Sequence, residues 1–237
     1  MVKGKKFENY RDTGDPKSAV KIYNAQYADE LIFIDIEAGK SKRKALIKVV
    51  ENAALECFMP LTVGGGIDSV SDVADLLSAG ADKVVITTSA FTSPSIIPEI
   101  AEVFGSQCIV GGIDYRGSGV EARVWFGCGT IPTNVHPLTH AKKLNMLGVG
   151  EIFLNSIDRD GMMAGYDIEM AKLIGGMVSV PIVVCGGAGN FMHLYAALEH
   201  KNISGAACAS LFHFGDNNPI RARTYLGNHG ISMRVTK

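Results

Sequence analysis

Residues 60–91 read PLTVGGGIDSVSDVADLLSAGADKVVITTSAF, and residues 181–212 read PIVVCGGAGNFMHLYAALEHKNISGAACASLF. Each stretch is 32 residues long, and each runs proline, β-branched apolar run, Gly-Gly, amphipathic segment, second apolar run, serine, phenylalanine. One strand–helix–strand unit repeated at a spacing of 121 residues marks a duplicated half-barrel. Outward from the repeat, apolar runs at Glu30–Ile36, Cys108–Asp114 and Glu151–Asp158 join the repeat's own strands, Pro60–Gly65, Lys83–Thr88, Pro181–Gly187 and Ala206–Phe212. LIFIDI, KVVITT and IFLNSI carry apolar side chains on both faces, as strands covered on both sides must. The segments Ser41–Glu56, Val70–Ser78, Pro94–Val103, Pro137–Leu147, Ile168–Gly175 and Met192–Glu199 read as helices. The expected fold is α/β, a (β/α)8 barrel of the TIM type made of two half-barrels, with residues 1–237 forming a single domain.

Seven strands are legible where that architecture calls for eight. The repeat places the partner of the strand ending at Asp114 about seven residues ahead of Met1, so the first strand is expected to be missing and the sequence to begin inside the loop that follows it. Two strand edges would then face each other unpaired, a liability that proteins normally cover. Either the N-terminal segment compensates, or the protein is poorly soluble.

Lys plus Arg number 23 and Asp plus Glu 24, so no net field draws the chain to nucleic acid or to a membrane surface, and any anion must be captured locally. The five cysteines lack CxxC spacing, and the six histidines form no HxxxH or HExxH pair. A reduced, cytoplasmic protein without a metal site or cofactor is expected. MVKGKKFENYRDTGDP is too polar for a signal peptide, and no run of about 18 apolar residues exists to span a bilayer.

In such a barrel, ligands meet the C-terminal ends of the strands. The repeat supplies two matched candidate cradles there, Gly64-Gly65-Gly66 with Thr87, Thr88 and Ser89, and Gly186-Gly187 with Ala209 and Ser210. One Gly-Gly is explained by a tight turn, but two at equivalent places, each followed by a hydroxyl at the next strand's end, suggest two phosphate sites. Two cradles imply a ligand with two phosphate ends. Asp35, Asp114, Asp158 and Asp160 lie at the same rim, and Asp114 in GGIDYRG is placed for proton transfer.

VKGKKFENYRDTGDP, ADELIFIDI, LTVGGGI, ADKVVITTSA, FGSQ, GIDYRG, GVGEIFLNSIDRDGMMAGYD, CGGAGN and ASLFHF together resemble the cyclase subunit family of imidazole glycerol phosphate synthase, over nearly the whole chain. The resemblance implies a lyase/cyclase of histidine biosynthesis that takes ammonia from a glutaminase partner. Its substrate would be a bis-phosphorylated ribulosyl aminoimidazole carboxamide nucleotide. It implies Asp114 as one of two catalytic aspartates and Lys3 as the mobile-loop lysine. Gly66, Thr87 and Thr88 fall on the first phosphate site; Asp160, Gly161, Gly187, Ala209 and Ser210 fall on the second. Glu30, Lys83 and Glu151 fall on the charged ring that gates ammonia entry, whose arginine would lie on the first strand.

Departures accompany the resemblance. The other catalytic aspartate belongs to the absent strand, WFGCGTIPTN lacks the expected basic flap residues, and Asn155 stands where a threonine is expected. Asn155 with CFMPLT, IYNAQ and NNPIRARTYL looks like a paralogous branch that passes ammonia to a separate amidotransferase amidating a surface-polysaccharide sugar. A truncated barrel that binds phosphates without catalysis is the third expectation.

Overall fold

The computed structural model describes residues 1–38, 47–213 and 216–233. The strands are β1 (Val2–Lys5), β2 (Glu8–Asp12), β3 (Leu31–Ile34), β4 (Leu61–Gly64), β5 (Lys83–Ile86), β6 (Ile109–Arg116), β7 (Arg123–Phe126), β8 (Ile131–Pro132), β9 (Glu151–Ser156), β10 (Ile182–Cys185) and β11 (Gly205–Ala206). The helices are α1 (Pro16–Ala25), α2 (Ile47–Ala54), α3 (Val70–Ser78), α4 (Thr88–Thr92), α5 (Ile96–Phe104), α6 (Pro137–Leu147), α7 (Ile168–Gly175), α8 (Phe191–Leu198), α9 (Ser210–His213) and α10 (Pro219–Asn228). Residues 41–46 of the helix expected over Ser41–Glu56 lie outside the described residues.

The parallel strands follow the order β3-β4-β5-β6-β9-β10-β11. This is the curled parallel sheet of a TIM-type barrel, with helices outside it. Its outer layer is the main core, where Ile109, Ile113, Ile152, Leu154 and Ile182 face the buried stripes of the helices. Those stripes include Leu76 of α3, Ile100 of α5, Leu144 of α6 and Ile174 of α7. Helix starts were readable because their caps are local. Ser69 and Asp72 form a capping box on α3, and Pro16, Pro137 and Pro219 sit in the first turns of α1, α6 and α10, where a missing N–H costs nothing.

Some boundaries differ from the sequence expectation. Of the run Ala206–Phe212 only Ala206 is strand, the second residue of Gly205–Ala206, and the chain turns into α9 at Ser210. Likewise Thr88 opens α4 instead of ending β5. In both places the chain leaves the sheet and bends into a short helix, which an apolar run cannot signal.

The N-terminal segment does not supply a ring strand: β1 and β2 form a separate antiparallel hairpin. No strand among the described residues joins β3 to β11. The helical layer, however, crosses the slot between them. Tyr23 of α1 shares a 3.1 Å hydrogen bond with His213 Nδ1 of α9. Arg223 of α10 donates to Asp29 Oδ1 at 2.8 Å and to Tyr27 O at 2.5 Å. Helix contacts of this kind hold the two sheet ends in one circuit. No helix among the described residues is long and apolar enough to cross a membrane.

The slot has a measurable signature. The amides of Leu31 and Asp35 are bonded toward β4, so by strand alternation those of Ile32 and Ile34 point to the open edge. In native-state hydrogen exchange, Ile32 and Ile34 should exchange much faster than Val84 and Val85 of β5, which has a strand on each side. Equal protection would mean that a strand occupies the slot.

Candidate functional site

Alternation along the strands sorts the barrel interior into layers, because every second residue faces the axis. On β9 the inward set is Glu151, Phe153, Asn155; on β5 it is Lys83 and Val85, continued by Thr87 just past the strand; on β6 it is Val110, Gly112, Asp114. The opposite set, Ile152 and Leu154 among it, packs into the outer core.

The bottom layer is charged. Lys83 Nζ lies 2.8 Å from Glu30 Oε2 and 2.8 Å from Glu151 Oε2. The three resemblance-derived ring residues are thus in direct contact. Thr62, fully buried, donates from Oγ1 to Glu30 Oε1 at 2.5 Å. Burial lowers the Lys83 pKa, the two glutamates raise it, and the balance is upward. One lysine between two glutamates carries a formal charge of −1, so the cluster could accept a further cation. Around this face, at helix C-terminal ends and in the turns that lead on to strands, Phe58 is 86% exposed, Met146 84% and Leu55 76%. Tyr27, Val103 and Met177 are exposed beside them. Scattered apolar surface residues are ordinary, but six share this end of the barrel.

Above the charges comes an apolar layer of Val85, Val110 and Phe153, packed with Ile32, Val183, Cys185 and Ala207. The third layer is polar. Thr87 Oγ1 occupies the space a side chain at Gly112 would need, which explains a glycine in the middle of β6. Asn155 Nδ2 donates to Asp114 Oδ1 at 3.2 Å, its register neighbour across the β6–β9 pair. Burial raises the Asp114 pKa to about 7, against the Asn155 hydrogen bond that lowers it, and the nearby Asp160 charge adds to the rise. Asp160 is itself pushed up to about 6 by burial, opposed by the Lys3 charge and a backbone hydrogen bond from Phe7.

The β1–β2 hairpin lies over the barrel mouth. Lys6 N donates to Asp160 O at 2.9 Å, Arg116 Nη2 donates to Lys6 O at 3.2 Å, and a side chain at Gly161 would strike Gly4 O. Lys3, Gly4, Lys5, Asn9 and Arg11 line a cavity of about 480 Å³ on the hairpin, and its three cations favour an anion there. A second antiparallel element, β7–β8, covers the mouth from the other side. Gly127 N donates to Thr88 Oγ1 at 3.2 Å, and Phe126 stacks on Phe91 with ring centroids 5.2 Å apart.

The two candidate cradles are each tied into one piece. In the first, Gly66 turns with φ 66° after β4, and the buried Ser89 Oγ donates to Ile67 O at 2.5 Å, binding the Gly66 turn to the Thr87–Thr88 turn. In the second, Gly165 N donates to Gly187 O at 2.7 Å, and Tyr166 OH donates to Ala207 O at 2.9 Å. Gly187 has φ 117°, and a Cβ there would run into Gly165 O. Ala209 and Ser210 follow at the start of α9.

The sequence reading missed Thr62, Lys5 and Arg11 as members of the site and noted Asn155 only as a departure. Counting by twos from Glu151 would have found Asn155. Thr62 needed the β4–β5 register, which pairs it with Lys83, and Lys5 and Arg11 needed the hairpin pairing.

A raised carboxyl pKa also fixes a pH dependence of stability. Between roughly pH 4 and pH 7 the folded Asp114 keeps a proton that the unfolded chain has released, so stability falls as pH rises through that window. Asp114→Asn, neutral at every pH, should be more stable than the parent at pH 8 by roughly 2 kcal/mol, allowing for partial exposure at the mouth, and indistinguishable at pH 4. Thermal denaturation at both pH values measures this; equal differences at pH 4 and pH 8 would exclude a strained carboxylate.

Residues 1–218 match a family model described as "Histidine biosynthesis protein". Members of that family are isomerases or cyclases. The matched span contains the charged cluster, both cradles, Asp114 and the hairpin over the mouth. This chain, a barrel of histidine-biosynthesis type, belongs to the histidine biosynthesis protein family.

Proposed function

We propose that this protein is the ammonia-using synthase subunit of an imidazole glycerol phosphate synthase-type complex. It takes ammonia from a glutaminase subunit and joins it to a bis-phosphorylated ribulosyl aminoimidazole carboxamide nucleotide. The observation that carries this reading is the stacking of layers along one axis. Paired charges at the strand N-terminal end lie below an apolar layer, and an acid with pKa about 7 lies above it. Neutral ammonia can cross an apolar layer that would strongly oppose ammonium. At the far end, Asp114 is within its titration range at neutral pH, as a group that moves a proton must be.

The remaining roles are those the resemblance implies. Gly66, Thr87 and Thr88 take one phosphate, and Asp160, Gly161, Gly187, Ala209 and Ser210 frame the site of the other. Lys3, with Lys5 and Arg11, closes over the ligand from the hairpin. Glu30, Lys83 and Glu151 gate ammonia. The exposed apolar residues Leu55, Phe58, Val103 and Met146 at the same end are the surface on which the glutaminase docks, with a buried area on the order of 1,200–2,000 Å².

A second reading is delivery of ammonia to a separate enzyme that amidates a surface-polysaccharide sugar. One observation favours it: among the described residues, the hydrogen-bonding partner of Asp114 is an amide, Asn155. Assay of the complex with the nucleotide separates the two, since only the first predicts its cyclisation.

Lys83→Ala should uncouple the complex. Glutamine would still be hydrolysed, free ammonia would appear in solution, and turnover with added ammonium salt would be less affected. Phe58→Asp should weaken association with the glutaminase while leaving ammonium-dependent turnover of the isolated subunit unchanged. Comparing glutamine consumed with product formed checks the first, and titration calorimetry the second. Full coupling in Lys83→Ala would make the charge cluster purely structural.

A further inference from the structure

We infer that Arg116 clasps the cationic β1–β2 hairpin over the barrel mouth and sets it in register with Asp114, a positioning role that rests on the nucleotide-binding reading above. The strand dictates where Arg116 points. It closes β6 two residues after Asp114, and Tyr115 between them is buried in the outer core, so alternation puts Arg116 on the side of Asp114. There its guanidinium meets three separate segments. Nη2 donates to Lys6 O of the hairpin at 3.2 Å. Nη1 lies 3.4 Å from Asp158 Oδ1 in the turn after β9. Cζ stands over the Trp125 ring of the flap, 5.1 Å from its centroid.

The contact with Lys6 falls where the hairpin is most strained. Lys6, Phe7 and Asn9 have φ of 53°, 64° and 54°, left-handed conformations that a side chain disfavours and that surrounding contacts must maintain. Lys6 is gripped at both backbone groups, its N–H by Asp160 O at 2.9 Å and its carbonyl by Arg116. A bond from a charged donor is the stronger kind. Asp158 is 40% exposed, so its ion pair aims the guanidinium more than it stabilises the fold. The same carboxylate accepts from Gly117 N at 2.8 Å, which fixes the end of β6. Arg116 Nε is buried without an acceptor. Leaving a buried donor unpaired is unfavourable, and Arg116 does so while it spans hairpin, flap and turn. Phe7 adds a second link from hairpin to flap, since a Cβ at Gly129 would stand 2.7 Å from its ring. Trp125 is the register partner of Asp114 on β7, so Arg116 ties the cations of the hairpin to the acid along one strand pair. A hairpin held closed before the ligand arrives need not be ordered on binding. The clasp should therefore show in the KM of the ligand and not in the chemical step.

Trypsin tests this on the full chain without ligand, because Lys3, Lys5, Lys6 and Arg11 are all cleavage sites within the hairpin. Cleavage there follows the open population of the hairpin. Arg116→Met, similar in reach but without donors, should raise hairpin cleavage roughly 10- to 100-fold, the range set by one charge-assisted hydrogen bond. Its midpoint of thermal unfolding should stay near the parent's, since the substitution also removes an unpaired donor. Arg116→Lys can restore one contact of the three and should fall between. Unchanged hairpin cleavage in a folded Arg116→Met overturns the inference, and so does full recovery by Arg116→Lys. Should Arg116→Met fail to fold, Trp125→Leu decides: it spares the donor to Lys6 O but removes the ring that backs it, and hairpin cleavage at the parent's rate would sink the clasp. In ammonium-dependent turnover, Arg116→Met should raise the KM for the nucleotide roughly tenfold, with kcat near the parent's. A loss of kcat at unchanged KM would contradict the positioning role. If the parent turned over no nucleotide, the cyclase reading would fail, and the proteolysis would still decide the role of Arg116.

Discussion

The contact on which the rest depends is the one between Lys83 and two glutamates, Glu30 and Glu151, at the narrow end of the barrel. Burying charge is unfavourable unless partners are close, and removing one partner of such a set costs far more than the set contributes. Three strands must therefore start at the right height for the cluster to close. Glu30 just ahead of β3, Lys83 opening β5 and Glu151 opening β9 are drawn from both halves of the duplicated chain. Once that layer is fixed, strand alternation dictates the rest: Val85 and Phe153 two residues above, Thr87 and Asn155 two above those.

The sequence was most informative where a physical rule is local. Unbroken apolar runs marked the seven parallel strands, and serine or aspartate at the cap or proline in the first turn marked helix starts such as Val70, Ile168 and Pro137. The carboxylate at Asp114 was legible because it lies in the C-terminal part of a strand, β6, in a barrel whose mouth must face its ligand. Ring membership of Glu30, Lys83 and Glu151 came from resemblance; a direct three-residue contact is a fact of register, which no single strand encodes.

What stayed hidden was mostly pairing. The β1–β2 hairpin has one strand, Glu8–Asp12, exposed along its whole length, so no apolar alternation announces it. Its shape depends on left-handed backbone at Lys6, Phe7 and Asn9, conformations that a side chain disfavours and that surrounding contacts must hold. The flap is equally quiet in sequence, although Phe126 stacking on Phe91 anchors it. The slot between β3 and β11 was legible from the repeat spacing. Its bridging by Tyr23, His213 and Arg223 was not, since each contact joins residues about 190 positions apart.

The central proposal is that ammonia travels inside the barrel, from the charged cluster, past Val85, Val110 and Phe153, to Asp114. The most direct measurement supplies the complex with glutamine labelled with 15N at the side-chain amide, in a large excess of unlabelled ammonium, and reads the isotope in the product by mass spectrometry. The account predicts product carrying the glutamine label almost undiluted, because internal ammonia does not mix with the bath. Product with the isotope ratio of the bulk ammonium would contradict it.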